Sequence, residues 1–126
     1  MTTKFAPLAL VCAMLVVALA AGGSAGPSLA DVANPIMARF ADAETTASNT
    51  ARIGLAPVIL EMQAAAREMN AVATSDVEMK ALIVHAMNLT IDYYLAFQSQ
   101  ATDAQMASLK AEAEGAWQAI TDLANI

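Results

Sequence analysis

The chain has 126 residues, a length typical of a single domain. Its 58% hydrophobic content exceeds the roughly 45–50% of average soluble domains, and its 14% charged content lies below their roughly 25%. Six basic residues stand against twelve acidic ones, which gives a net charge of −6. This balance argues against binding to nucleic acid and to anionic lipid, because both require clustered lysine and arginine side chains.

The surplus of apolar residues is concentrated at the N-terminus. Residues 5–21 carry no charge, Lys4 precedes them, and the small residues 22–26 follow them. A basic start, an apolar middle and a small-residue end are the three regions of a secretory signal. The sequence therefore predicts a signal peptide over residues 1–30 and a mature domain over residues 31–126.

The cleavage site is predicted after Ala30, because the first helix signals follow directly; Ala20 and Ala25 fit the small-residue rule as well. If this segment is retained, its run of about 17 apolar residues lies at the short limit for a membrane anchor. Cys12 is the one cysteine and lies inside the run, so the mature chain forms no disulfide. Export without disulfides favours a bacterial protein that is periplasmic or secreted.

The first half of the mature region predicts two helices, A and B. Asn34 is expected to cap helix A, with Pro35 at the first helical position. Helix B extends to about Ala73 and has an apolar stripe at helical spacing. Pro57 lies either in the first turn of helix B or at a kink, so separate helices and one helix bent at Gly54–Pro57 both fit.

The second half predicts two helices with marked starts. Helix C begins with a capping box at Ser75–Glu78 and runs to about Ser99, and its apolar positions cover well over half of its circumference. Helix D begins with a second capping box at Thr102–Gln105, and its inner stripe includes Trp117. Short connections between amphipathic helices predict an all-α fold, an antiparallel up-and-down bundle of three to four helices.

Catalytic and metal sites are not predicted. His85 is the one histidine, and the positions four residues before and after it are Ala81 and Leu89, which are not ligands. A metal site on a helix needs ligands three or four residues apart, and a nucleophile needs a neighbouring base. We therefore expect His85 to lie on a solvent-facing polar strip, and the protein not to be an enzyme.

The methionines suggest a second interpretation of the function, in which the protein binds a metal or haem. The mature region has six methionines, and thioethers can hold copper or serve as a haem ligand. In exported size and helix order, the architecture of the chain resembles that of the periplasmic cytochrome b562 family. Members of that family hold haem between an N-terminal methionine and a C-terminal histidine. Met37 is similar in placement to that methionine, but the C-terminal helix has no histidine. The candidate ligands are then His85, Met37 and Met62.

These features predict an exported, non-catalytic bundle that acts by binding, such as a periplasmic adaptor, a chaperone-like protein or a subunit of an envelope complex. A protein partner or self-association is expected, and no cofactor. The alternative function is a periplasmic carrier of haem b or copper that uses methionine and histidine ligands. Contact with a membrane is expected only through the signal segment, if it is not cleaved.

Overall fold

The computed structural model describes residues 29–125 and forms an all-α bundle, as predicted. The described chain contains four α-helices, one short 3-10 segment and no strand. The elements are α1 (Leu29–Ser48), the 3-10 segment (Arg52–Gly54), α2 (Leu55–Asn70), α3 (Val77–Gln98) and α4 (Asp103–Ala124). Helices A to D of the prediction correspond to α1 to α4.

Helix α1 is longer than predicted, and the expected cap at Asn34 is wrong. The described helix already includes Leu29, and Pro35 lies inside it on the exposed side. Proline lacks the N–H that would bond to the carbonyl four residues earlier, so packing has to hold the first turns. Leu29 and Ala30 supply that packing, being 8% and 6% exposed within the core. The predicted cleavage site after Ala30 thus lies within α1, whereas Ala20 and Ala25 lie outside the described residues.

Helices α1 and α2 are separate, so the single bent helix is excluded. A turn at Asn49 and Thr50 and the 3-10 segment divide them. The hydroxyl of Thr46 donates to the carbonyl of Asp42, and Ser48 donates to the carbonyl of Thr45. Such bonds compete with the helical ladder and weaken helix interiors. Pro57 follows as the third residue of α2, within its first turn, where a missing N–H costs nothing.

The two predicted capping boxes have opposite outcomes. Thr102 accepts from the Gln105 amide at 3.1 Å, and the Gln105 side chain accepts from the Thr102 amide at 3.0 Å, which confirms the box of α4. The box at Ser75 is wrong, because α3 begins at Val77 and its N-cap residue makes no side-chain cap. The hydroxyl of Thr74 instead accepts from the Asp76 amide, which holds Ser75 outside the helix.

Helix α3 is the central element, as its broad apolar surface predicts. It contacts α1, α2 and α4, whereas no Cα atoms of α1 and α4 come within 8 Å among the described residues. Large side chains fill the wider space between α1 and α4. The Phe40 and Trp117 rings lie 6.2 Å apart between centroids, and Tyr93 stacks edge-on against Tyr94 at 5.1 Å.

Candidate functional site

The predicted ligand residues lie in different environments. His85 is exposed on α3, as expected of a polar strip, whereas Met37 and Met62 are only 1% and 0% exposed. All six methionines of the described chain belong to the hydrophobic core. Methionine fills irregular gaps in helical cores, and these positions match that role. Among residues 29–125, no three His, Cys, Asp or Glu side chains are grouped so that they could hold a metal ion.

The most unusual surface lies on the outer side of α2 and α3. Large apolar side chains that face solvent number four in the described chain: Ile53 (93% exposed), Leu60 (62%), Val77 (62%) and Leu95 (36%). Leu60 lies on the exposed side of α2, and Ile53 lies in the 3-10 segment that precedes this helix. Val77 and Leu95 are eighteen residues apart, five full turns, and share the outer side of α3.

An open groove joins these two helix sides, and we call the combined surface the α2–α3 face. The residues that line the groove are Gln63, Ala66, Arg67, Asn70, Val84, Asn88, Ile91, Asp92 and Leu95. Leu60 lies about one turn before Gln63, which places it beside the end of the groove that Leu95 lines. The groove is therefore of mixed polarity: Gln63, Arg67, Asn70, Asn88 and Asp92 are polar, and the other lining residues are apolar.

Charge is unevenly distributed over the bundle. Helix α4 carries four acidic residues and one basic residue, and α1 carries three and one. The 3-10 segment and α2 together are balanced, with two arginines and two glutamates. Glu68 is also bound by Arg39 of α1 at 2.9 Å, and this hydrogen bond lowers the pKa of the Glu68 carboxyl. Helix α3 carries two acidic residues and one basic residue, so α2 and α3 together are the least acidic pair of neighbouring helices in this acidic protein.

A buried polar contact joins α1 to α3. Glu44 is 3% exposed, and the phenol of Tyr94 donates a 2.8 Å hydrogen bond to its Oε2 atom. Burial, and then the charge of Glu44, raise the pKa of Tyr94 well above its usual range. Burial also raises the pKa of Tyr93, helped by the charges of Glu44 and Glu114. Tyr93 is buried as well, at 3% exposed.

A second buried contact joins α3 to α4. The indole Nε1 of Trp117 donates to the hydroxyl of Thr90 at 2.9 Å, and that hydroxyl donates to the carbonyl of Ala86 at 2.9 Å. Both side chains are buried, and every polar atom of this chain of bonds has a partner. Such a satisfied network fixes the pairing of two helices but presents no group to a ligand.

Sequence reasoning missed the α2–α3 face, although a signal for it was present. Leu60 falls outside the stripe of Leu55, Ile59 and Met62, so a large apolar residue was left on the polar side of helix B. A large apolar residue on the polar side of an amphipathic helix indicates a contact surface rather than a core.

Comparison of the chain with protein-family models, with curated proteins and with solved structures gives no match. The helices of residues 29–125 include none that is both long and apolar enough to span a bilayer.

Proposed function

We propose that this chain is an exported, non-catalytic binding module whose recognition surface is the α2–α3 face. The observation that carries the proposal is the open groove between α2 and α3, which Leu95 lines and beside which the 62% exposed Leu60 lies. Large apolar side chains exposed beside a groove of mixed polarity are typical of sites that bind proteins. The signal-like segment before the bundle supports export to the periplasm or secretion.

Site-specific photo-crosslinking in the producing cell tests the surface directly. Leu60→p-benzoylphenylalanine places the probe on the α2–α3 face, and Gln118→p-benzoylphenylalanine places it on the exposed side of α4. We expect adducts from position 60 and none from position 118. Equal labelling at both positions, or none at position 60, would remove the α2–α3 face as a recognition surface.

Intact native mass spectrometry on protein from the cell envelope tests export and the cofactor alternative together. A mass that starts at residue 21, 26 or 31 supports cleavage, and retention of the whole N-terminus supports an anchor. Cleavage after Ala30 would remove two residues that pack in the core, so the structure favours an earlier cut. Added mass equal to haem or copper would overturn the binding-module proposal.

A further inference from the structure

On one side of the bundle, the two flanking helices stay apart. The pairs α1–α2, α2–α3 and α3–α4 each have Cα atoms within 8 Å of one another, whereas α1 and α4 have none among residues 29–125. Side chains bridge this side, including Phe40 of α1 and Trp117 of α4, whose ring centroids lie 6.2 Å apart. We call this side of the bundle the α1–α4 seam. Its opening separates side chains without breaking a close backbone contact between α1 and α4.

Polar groups lie beside the seam, and they lower the cost of opening it. Glu44 stands one turn after Phe40 on the same side of α1, and it is 3% exposed. Its Oε2 atom accepts the 2.8 Å hydrogen bond from the phenol of Tyr94 on α3. When the seam opens, water offers both groups new hydrogen-bond partners. The hydration that they regain offsets part of the apolar contact that is lost.

The opposite side of the bundle, where α2 packs on α3, is held at both ends. Near the end of α2, the Nζ atom of Lys80 on α3 donates to the carbonyl of Asn70 at 3.0 Å and to that of Val72 at 3.1 Å. At the other end, the 3-10 segment before α2 contacts α3 as well. Residues 71–76, which join the two helices, lie outside both, and such residues can absorb a change in backbone angles. The α2–α3 contact can therefore serve as a hinge.

We infer that the bundle opens along the α1–α4 seam, with α1 and α2 turning together about the α2–α3 contact. Helices α1 and α2 stay paired because the buried Ala43 and Ala65 lie in the groove between them and let their backbones approach. Helices α3 and α4 stay paired through the buried bond from Trp117 to Thr90. The α2–α3 contact is retained, so the opening is independent of the proposed recognition surface.

The opening makes the apolar interior of the bundle reachable without global unfolding. It brings the rings of Phe40, Tyr94 and Trp117 into contact with water, and all three are at most 3% exposed in the closed form. Partial openings of a protein have free energies between zero and that of global unfolding. The open form is therefore a minor state, and a test has to detect a small population.

Labelling of single buried cysteines under native conditions detects such a state, because a buried thiol reacts only while it is exposed. The background is the exported protein with Cys12→Ala, which removes the one native thiol from the full chain. Ala33→Cys and Ala47→Cys place probes at buried positions seven residues before and after Phe40, on the same side of α1. The two positions lie near opposite ends of α1, so they distinguish opening of the seam from fraying of one helix end.

Two further variants are matched controls, since each also adds one sulfur atom at a buried alanine. Ala65→Cys places a thiol at the contact between α1 and α2, and Ala86→Cys places one in α3, a turn before Thr90. The hinged opening keeps both helix pairs intact, so these two thiols stay covered until the whole chain unfolds. Far-UV circular dichroism shows which variants keep the native helix content.

The labelling rate with excess 5,5′-dithiobis(2-nitrobenzoate), over a range of low urea concentrations, measures the opening. Without urea, we expect the two α1 thiols to react about a hundredfold faster than the controls. Their rates should also depend less on urea, since the opening exposes less surface than global unfolding. Tyr94→Phe should accelerate the reaction of both α1 thiols about tenfold, because it removes the bond to Glu44.

Four results would overturn the hinged opening. One rate and one urea dependence shared by all four thiols would leave global unfolding as the only opening. A fast reaction at position 65 as well would mean that α1 leaves the bundle alone. A fast reaction at position 47 and not at position 33 would indicate fraying at the end of α1. Unchanged rates at both α1 positions after Tyr94→Phe would show that its bond to Glu44 does not hold the seam closed.

Discussion

The bundle consists of two hairpins that are built on different principles. In the first, α1 with α2, alanines lie at the contact and let the two backbones approach: Ala43 and Ala65 line the groove between the helices and are 5% and 3% exposed. In the second, α3 with α4, a bulky Trp117 reaches across to Thr90 and is held by a hydrogen bond.

The turns of the two hairpins also differ, because only the second contains specific capping bonds. Gly54, at the N-cap position of α2, offers no side-chain cap. The turn between α3 and α4 has Gln100 in the left-handed region at φ 62°, and the Ala101 amide bonds back to the carbonyl of Ala96. This arrangement is a Schellman motif, and the capping box at Thr102 follows it at once. The first hairpin therefore combines small buried residues with the exposed Arg39–Glu68 pair, whereas the second depends on buried bonds and bulky side chains.

The largest expected effect is the loss of Trp117, which contacts Thr90 in its own hairpin and Phe40 in the other. We expect Trp117→Ala to lower the free energy of unfolding by about 3–5 kcal/mol, because the cavity lies between helices whose backbones cannot close it. Urea denaturation measures the change. Gln118→Ala, at the exposed neighbouring position, is the control and should change stability by less than about 0.5 kcal/mol. A loss below about 1 kcal/mol for Trp117→Ala would show that large side chains do not hold the hairpins together.

Tyr94 supplies a hydrogen bond between the hairpins. Tyr94→Phe keeps the ring and removes the donor to Glu44, so we expect a loss of about 1–3 kcal/mol in the free energy of unfolding. A double-mutant cycle with Glu44→Gln isolates the contact from the cost of each single change. Additive effects in that cycle would mean that the two side chains do not stabilise one another.

The same contact predicts a loss of stability at alkaline pH. The folded pKa values of Tyr93 and Tyr94 are raised above the unfolded value of about 10. Above about pH 10 the unfolded chain loses phenol protons that the folded chain keeps, so stability is full below that pH and falls above it. A phenol proton that only the folded chain keeps gives a slope of about 1.4 kcal/mol per pH unit, and Tyr94, whose pKa is raised more than that of Tyr93, contributes the larger share. Urea melts at increasing pH should show a shallower decline for Tyr94→Phe, and an identical decline would contradict the assignment.

A larger side chain in the first hairpin tests the close approach of α1 and α2. Ala65→Leu inserts a larger side chain beside Ala43, and we expect a loss of about 1–3 kcal/mol from overpacking. Ala107→Leu on the exposed side of α4 is the matched control and should be nearly neutral. Thermal denaturation of the two variants compares them. Equal stability would indicate that the contact between α1 and α2 accommodates a larger side chain without strain.

The smallest expected effect is at the helix caps. Thr102→Ala removes the side-chain acceptor of the confirmed capping box and should cost about 1 kcal/mol. Ser75→Ala removes the same kind of side chain from a position outside α3, and we expect less than about 0.5 kcal/mol. Urea melts of both variants give the two losses in free energy of unfolding. Their ratio shows how strongly the stabilising effect of a capping side chain depends on its position relative to the helix start. Equal losses would place Ser75 back at the start of α3.

Much of the fold was predictable because its signals are local. Apolar spacing gave the helical regions, and Thr102 with Gln105 gave the start of α4, whereas separate α1 and α2 helices and one bent helix both stayed open. Each of these signals acts within one or two turns of backbone. The central place of α3 also followed locally, from apolar residues on more than half of its circumference.

The candidate site was less predictable, since it consists of side chains that remain exposed after the helices pack. Leu60 and Leu95 belong to different helices, and the sequence does not state that their outer sides adjoin. The burial of Glu44 had a local signal, because it stands four residues after Phe40 on the same side of α1. Its partner Tyr94 is fifty residues away, and that distance is bridged only by the fold.

By itself, the sequence determined that the mature region is helical, where most of its helices end, and which side chains form each apolar stripe. The tertiary structure alone decided that α1 extends back through Leu29, that Ser75 caps nothing, and that Tyr93 is buried. The physical reason is the same in each case. Periodicity and capping depend on neighbours within a turn or two, whereas burial depends on which helices meet and on how far apart their backbones stay.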